Sequence, residues 1–205
     1  MIEIKDKKDC CGCWACENVC PKQCITMVED KEGFRYPQVD KYTCIDCHLC
    51  EKVCPIINVK SETEKPQKGY LLQNKDPKVL AESTSGGAYT AIAKYVLRQG
   101  GVVLGAALNE KNEARHIYVE SEDELWRFRN SKYVQSLIGE TFRQAKEFLK
   151  QGRLVLFSGT PCQMEGLVSY LRKPYDNLIV VDVVCRAVPS PKVLRKYLEY
   201  QSLAY

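Results

Sequence analysis

The sequence predicts two parts: a small α+β module over residues 1–60, then an α/β domain with a mainly parallel sheet. Three observations predict this. Two runs of four cysteines share one spacing, a polar stretch follows them, and beyond it apolar strand-like runs alternate with helical periods. A length of 205 residues allows a small module plus one ordinary domain.

The runs are Cys10-x2-Cys13-x2-Cys16-x3-Cys20-Pro21 and Cys44-x2-Cys47-x2-Cys50-x3-Cys54-Pro55, the bacterial iron–sulfur spacing residue for residue. Three close thiolates hold three corners of a cubane, and the fourth cysteine, beyond the following turn, serves the other site. Cluster one is expected on Cys10, Cys13, Cys16 and Cys54, and cluster two on Cys44, Cys47, Cys50 and Cys20. The module therefore reads as a ferredoxin-like dicluster domain holding two 4Fe–4S clusters, and the chain as one that moves electrons. Structural zinc would accept paired C-x2-C units, but it has no use for the third cysteine of each run or the terminal Cys-Pro. Cys11 and Cys24 lie outside both runs and read as buried, hydrophobe-like thiols, with Cys11 also able to compete with Cys10 as first ligand.

Compartment and partners follow from composition. Residues 1–8 have no apolar signal core, and no run of ~18 apolar residues could span a bilayer. Twelve reduced cysteines then point to the cytoplasm. The formal net charge of +4 falls to about zero once eight ligating thiolates and two dipositive cores are counted, and the basic residues form no stripe. A nucleic-acid partner is not expected.

The elements follow in order. Residues 25–28 and 34–39 flank a turn and read as a hairpin packed on the clusters, which staple a module too small to bury much core. Residues 61–68 are a linker. A strand is expected over 69–73, a helix over 86–98 stopped by Gly100-Gly101, and a buried strand over 102–108. Another strand covers 115–120. Ser121 with Glu124 three residues on matches a capping box opening a helix. Then come a helix over 140–150, a strand over 154–157, a helix over 162–171, an apolar strand over 178–184 and a last helix after Pro191. Leu125, Trp126, Phe128 and Phe142 read as helix core. His48 and His116 read as surface residues.

Ligands of such sheets gather beyond the carboxyl ends of the strands, where three segments are expected. In Ser83-Thr84-Ser85-Gly86-Gly87 the glycines would let a phosphate approach a helix start, although an ordinary capped start explains them as well. In Ser158-Gly159-Thr160-Pro161-Cys162-Gln163, Pro161 suits a first helical turn, placing Cys162 at the positive end of the dipole and lowering its thiol pKa. Asp182-Val183-Val184-Cys185-Arg186 ends the next strand. If those strands are neighbours, Cys162 and Cys185 share one cleft.

Four motifs carry a resemblance: Ser83–Gly87, Ser131-Lys132-Tyr133-Val134-Gln135-Ser136, Gly159-Thr160-Pro161-Cys162-Gln163, and Val184-Cys185 followed by Val188-Pro189-Ser190-Pro191. Together they resemble the beta-subunit family of coenzyme F-420 hydrogenases and dehydrogenases over nearly the whole chain. The resemblance implies that residues 69–150 are the N-terminal part of the beta-subunit-like domain and 151–205 the start of its C-terminal region, cut short. It implies a flavoprotein oxidoreductase in which FAD exchanges a hydride with a deazaflavin or similar acceptor and passes single electrons to the clusters. Ser85, Gly86, Gly87, Ser131, Tyr133, Gln135 and Gly159 would line the flavin site, with Thr160, Cys162 and Cys185 at its redox ring. A redox partner protein or another oxidoreductase subunit is implied. Where the family commonly has Val-Cys-His-Gly, this chain has Val184-Cys185-Arg186-Ala187, so a side chain that cannot titrate stands in place of an imidazole. Members also continue beyond the last helix seen here, and that part is expected to help close the flavin pocket. The alternative is an electron-transfer adaptor with no substrate site of its own.

Overall fold

The computed structural model describes residues 1–59 and 66–204, so residues 61–65 of the expected linker lie outside the described residues. The first helix, α1 (Ala15–Val19), carries the third cysteine of the first run, Cys16, and β1 (Ile25–Glu29) and β2 (Arg35–Val39) form the expected antiparallel hairpin. Asp30 shapes its turn by accepting from the backbone N–H of Glu32, Gly33 and Phe34. α2 (Leu49–Lys52) then occupies the place in the second run that α1 occupies in the first.

Beyond the linker come α3 (Pro77–Ala81), α4 (Ala88–Arg98), β3 (Val102–Leu108), β4 (Ala114–Val119), α5 (Thr141–Lys150), β5 (Val155–Gly159), α6 (Pro161–Leu171), β6 (Leu178–Asp182) and α7 (Pro191–Ala204). The sheet order is β4-β3-β5-β6, antiparallel at β3–β4 and parallel at β3–β5 and β5–β6. Side-chain alternation along each strand divides the core. Val103 and Leu156 face Ala93 and Val96 of α4, while Val102, Leu104, Val155 and Phe157 face Phe142 of α5 and Leu167 of α6.

The second of these layers does not stop at the helices. It continues without a break into Ile2, Cys13, Trp14, Ile25 and Met27, so the cysteine module shares one core with the sheet domain. Gly166 allows the closest approach, because a Cβ there would lie 2.8 Å from Cys13 Cβ and 3.0 Å from its Sγ. Polar contacts seal the joint. Arg143 on α5 donates to the carbonyls of Asn18 and Glu17 at 3.0 Å each, capping α1, whose last carbonyls have no intrahelical partner. Asn18 donates to Gly139 O at 2.8 Å, and Ser190 donates to Glu32 O at 2.6 Å.

Several expectations fail here for physical reasons. Residues 69–73 are not a strand: Tyr70, Leu71 and Leu72 are exposed and no neighbouring strand receives them. The segment opened by Ser121 is a 3-10 helix, Glu122–Phe128, and the Ser121 hydroxyl accepts from Asp123 N rather than closing a capping box. With three residues per turn, Leu125 and Phe128 share the inner face and Trp126 points outward, 66% exposed instead of in the core. The strand over 178–184 stops at Asp182 and is an edge strand, so Val183 and Val184 are exposed. His116 is buried, not at the surface, stacked on Phe157 at 5.5 Å between ring centroids.

Candidate functional site

The backbone repeats between the two cysteine runs. Gly12 (φ 63) and Asp46 (φ 49) precede the second cysteine, and Trp14 (φ 67) and His48 (φ 58) follow it, all left-handed. Three of these four lack the freedom of glycine, and the left-handed region costs such residues roughly 1–2 kcal/mol each. Holding the three thiols of each loop on one side is the return for that strain.

Two recesses result. One is lined by Cys10, Cys11, Cys13, Cys16 and Cys54 with Trp14, Met27 and three isoleucines. The other is lined by Cys20, Cys24, Cys44, Cys47 and Cys50 with Met1, Lys22, Asp46 and His48. Each recess thus combines three cysteines of one run with the fourth of the other. The thiols line the walls of a space instead of converging on a point, and among the described residues no three Cys, His, Asp or Glu side chains gather as around a single ion. A donor set of this chemistry and shape suits a polynuclear core.

Backbone donors already serve some of these sulfurs. Ile2 N donates to Cys50 Sγ at 3.2 Å and Asp46 N to Cys44 Sγ at 3.4 Å. Of the two further cysteines in the module, Cys24 is buried with its Sγ 3.4 Å from that of Cys20, while Cys11 is only partly buried. His48 is at the surface as expected, held by Glu51 at 2.6 Å and Asp46 at 3.4 Å.

The four motifs meet at one edge of the sheet, with residues 130–136 as the hub. Thr84 donates to Asn130 at 2.6 Å, Gln163 to Ser136 at 3.0 Å, and Gln135 N to Pro189 O at 3.1 Å. Val183 N donates to Gly159 O at 3.0 Å, joining the ends of β5 and β6. The start of α4 reaches this edge through Tyr89, whose hydroxyl accepts from Ser158 Oγ at 3.0 Å.

A closed hydrogen-bond ring brackets Gly159. Thr160 N–H donates to Gln163 Oε1 (3.0 Å), Gln163 Nε2 donates to Ser136 Oγ (3.0 Å), Ser136 Oγ donates to His116 Nδ1 (3.2 Å), and His116 Nε2 donates to Ser158 O (3.0 Å). The directions are forced, because the Ser158 carbonyl only accepts and a neutral imidazole carries one proton. Burial pushes the His116 pKa down to about 4, which keeps the ring neutral. No side chain fits at Gly159, where a Cβ would sit 2.8 Å from Gln163 Oε1. The sequence reading missed this ring, since its members are scattered over three elements.

Other expected residues fall as follows. Cys162 lies in the first turn of α6, but its pKa is raised, not lowered: hydrogen bonding with Cys11 and then burial outweigh the helix dipole. Its Sγ is 3.2 Å from Thr160 Oγ1 and 4.0 Å from Cys11 O, and it makes no hydrogen bond with Cys185. Gly86 and Gly87 pack on residues 72–79; a Cβ at Gly86 would meet Leu72 O at 2.1 Å, so close chain packing accounts for that glycine without a phosphate. Ser85, Ser131 and Tyr133 are exposed, and Cys185 is partly buried. Gln135 stands against the first cysteine loop, its Nε2 2.6 Å from where a Gly12 Cβ would be, and its Oε1 is a buried acceptor without a partner.

With this geometry in hand, the comparisons define first a class and then a family. Residues 9–57 match the 4Fe–4S dicluster domain, which makes this an iron–sulfur electron-transfer protein with two 4Fe–4S clusters. Residues 70–142 match the N-terminal and residues 152–204 the C-terminal model of the coenzyme F420 hydrogenase/dehydrogenase beta subunit. The chain belongs to that family. Among solved structures, a chain of the xenon-derivatised F420-reducing [NiFe] hydrogenase complex from Methanosarcina barkeri shares the fold, with a TM-score of 0.53 and 21% identity over 67% of this chain. This chain spans about half of that one, 52%. No curated protein matches. Among the described residues no helix is long and apolar enough to cross a membrane.

Proposed function

We propose that this chain is an iron–sulfur flavoprotein subunit that carries electrons between FAD, bound at the strand-end edge, and two 4Fe–4S clusters held by Cys10, Cys13, Cys16 and Cys54 and by Cys20, Cys44, Cys47 and Cys50. One observation carries the reading: the strand-end edge and the first recess share a wall, with Cys162 4.0 Å from Cys11 O and Gln135 against Gly12. The edge suits a flavin in its polar groups. The N-terminus of α4 has no side-chain cap, Gln135 Oε1 lacks a partner, and Tyr133, two residues before Gln135, stands 81% exposed. FAD bound there would supply hydride exchange with a deazaflavin-type or similar acceptor and release of single electrons.

The residues have distinct tasks. Backbone N–H groups from Ser85 to the start of α4 would serve the cofactor's anionic groups, Ser131 and Tyr133 would border it, and Gln135 would offer its free acceptor. The ring through His116 fixes Gly159 and Thr160, and Thr160 in turn orients Cys162. A larger oxidoreductase assembly would supply the partner subunit.

The openness of the edge favours a second reading, an electron-transfer adaptor without its own substrate site: Val183, Val184 and Tyr133 are all uncovered. Titrating the anaerobic full-length chain with FAD separates the two. Quenched flavin fluorescence saturating at about one FAD per chain is expected, with Tyr133→Ala weakening it about tenfold through lost stacking. No quenching at saturating FAD, with both clusters present, leaves the adaptor.

A further inference from the structure

The residue after the second cysteine of each run has the same backbone state and a different fate. His48 is half exposed and engaged with Glu51 and Asp46. Trp14 is 8% exposed and lines the first recess, and its indole Nε1 is buried with no hydrogen-bond partner. An indole N–H can only donate. A buried donor left unmade costs about 1–3 kcal/mol, so the group calls for an acceptor. Apart from the thiols, the walls beside it are Ile2, Ile4, Met27, Pro37 and Ile56, whose side chains bear no oxygen or nitrogen. Among the side chains that line this recess, sulfur is the acceptor on offer.

We propose that Trp14 donates its indole N–H to a sulfur of the first 4Fe–4S cluster and so raises that cluster's reduction potential above the value its apolar walls alone would set. The inference rests on assigning Cys10, Cys13, Cys16 and Cys54 to that cluster. Apolar surroundings disfavour the extra negative charge of a reduced cluster, and a hydrogen bond to sulfur favours it. The second recess has less need of such a donor, because polar side chains of Lys22, Asp46 and His48 line it and the backbone N–H groups of Ile2 and Asp46 already donate to Cys50 and Cys44 Sγ. Trp14 would thus bring two unequal sites close enough in potential for electrons to pass both ways.

Redox titration of the anaerobic full-length chain, followed by electron paramagnetic resonance, tests this with Trp14→Phe. The expected result is a lower potential for one cluster only, changing the equilibrium between the clusters about tenfold, or ~59 mV for one electron. Unchanged potentials, or equal shifts in both, overturn the proposal. Should the variant fail to assemble its clusters, the wild-type chain with 15N-indole tryptophan decides: coupling of 15N to one reduced cluster is expected, and its absence overturns the proposal. The other tryptophan, Trp126, is exposed and outside the recess, so it serves as the internal control. A wild-type chain showing no two distinct reducible clusters would instead remove the cluster assignment itself.

Discussion

The two cysteine recesses have the same spacing, the same left-handed residues and the same short helix, yet one is walled by the sheet domain and the other by the chain's own rim. The first is closed by α6, by the 130–136 hub and by apolar side chains. The second opens among Met1, Lys22, Asp46 and His48, with Cys47 exposed. A local repeat determines ligand geometry, whereas the element packed against it determines polarity, access and what can exchange electrons with it. The first site faces the strand-end edge and the second faces outward, so in the proposed function electrons pass between the edge and the first site and between the second site and a partner.

The most damaging way to probe this difference is to exchange the fourth ligands. Cys54→Ser should abolish the signal of the first cluster although it lies in the second run, and Cys20→Ser that of the second. Iron and sulfide analysis with circular dichroism reads the result. If each variant loses the cluster of its own run, the crossed assignment is wrong.

A smaller effect is expected from Gly166→Val. The new side chain would press on Cys13, and overpacking of this kind costs typically 1–3 kcal/mol. The first cluster should become labile to chelator while the second keeps its lifetime. Equal loss of both would mean that the two sites do not differ in their dependence on α6.

The smallest effect concerns the ring that backs the first site. The folded pKa of His116, about 4, lies below its ordinary 6.5, so between those values the unfolded chain takes up a proton that the folded chain does not. Stability contributed by neutral His116 is present above about pH 6.5 and declines toward pH 4, by on the order of 3 kcal/mol in all. The groups in contact with it, Ser136, the Ser158 carbonyl and the Phe157 ring, are neutral and offer the imidazolium no opposite charge. Urea unfolding between about pH 7 and pH 5 should show this slope, and His116→Gln should flatten it. An unchanged slope in the variant would place the titrating group elsewhere.

The parts of the molecule that were legible in the sequence are those whose physics is local. The cysteine spacing, the hairpin around residues 30–33, the strand over 102–108 and the helix opened by Pro161 depend on neighbours a few positions away, and they stand where the pattern placed them. Other features depended on partners far along the chain. The apolar run at 69–73 has strand composition but no strand beside it, and Trp126 has core composition but sits on the outer side of a three-residue turn. The dipole at the start of α6 is a local effect on Cys162, and the distant Cys11 overrides it. The ring of Thr160, Gln163, Ser136, His116 and Ser158 could not be read in full, because only the folded sheet brings the distant His116 and Ser136 within 3.2 Å of their partners in residues 158–163. By itself, then, the sequence marked the eight cysteines and the crossed sets in which they are proposed to ligate iron. Only the tertiary structure decided that the first set is buried against α6 and the second left at the surface, since burial depends on long-range packing that a spacing of two or three residues does not encode.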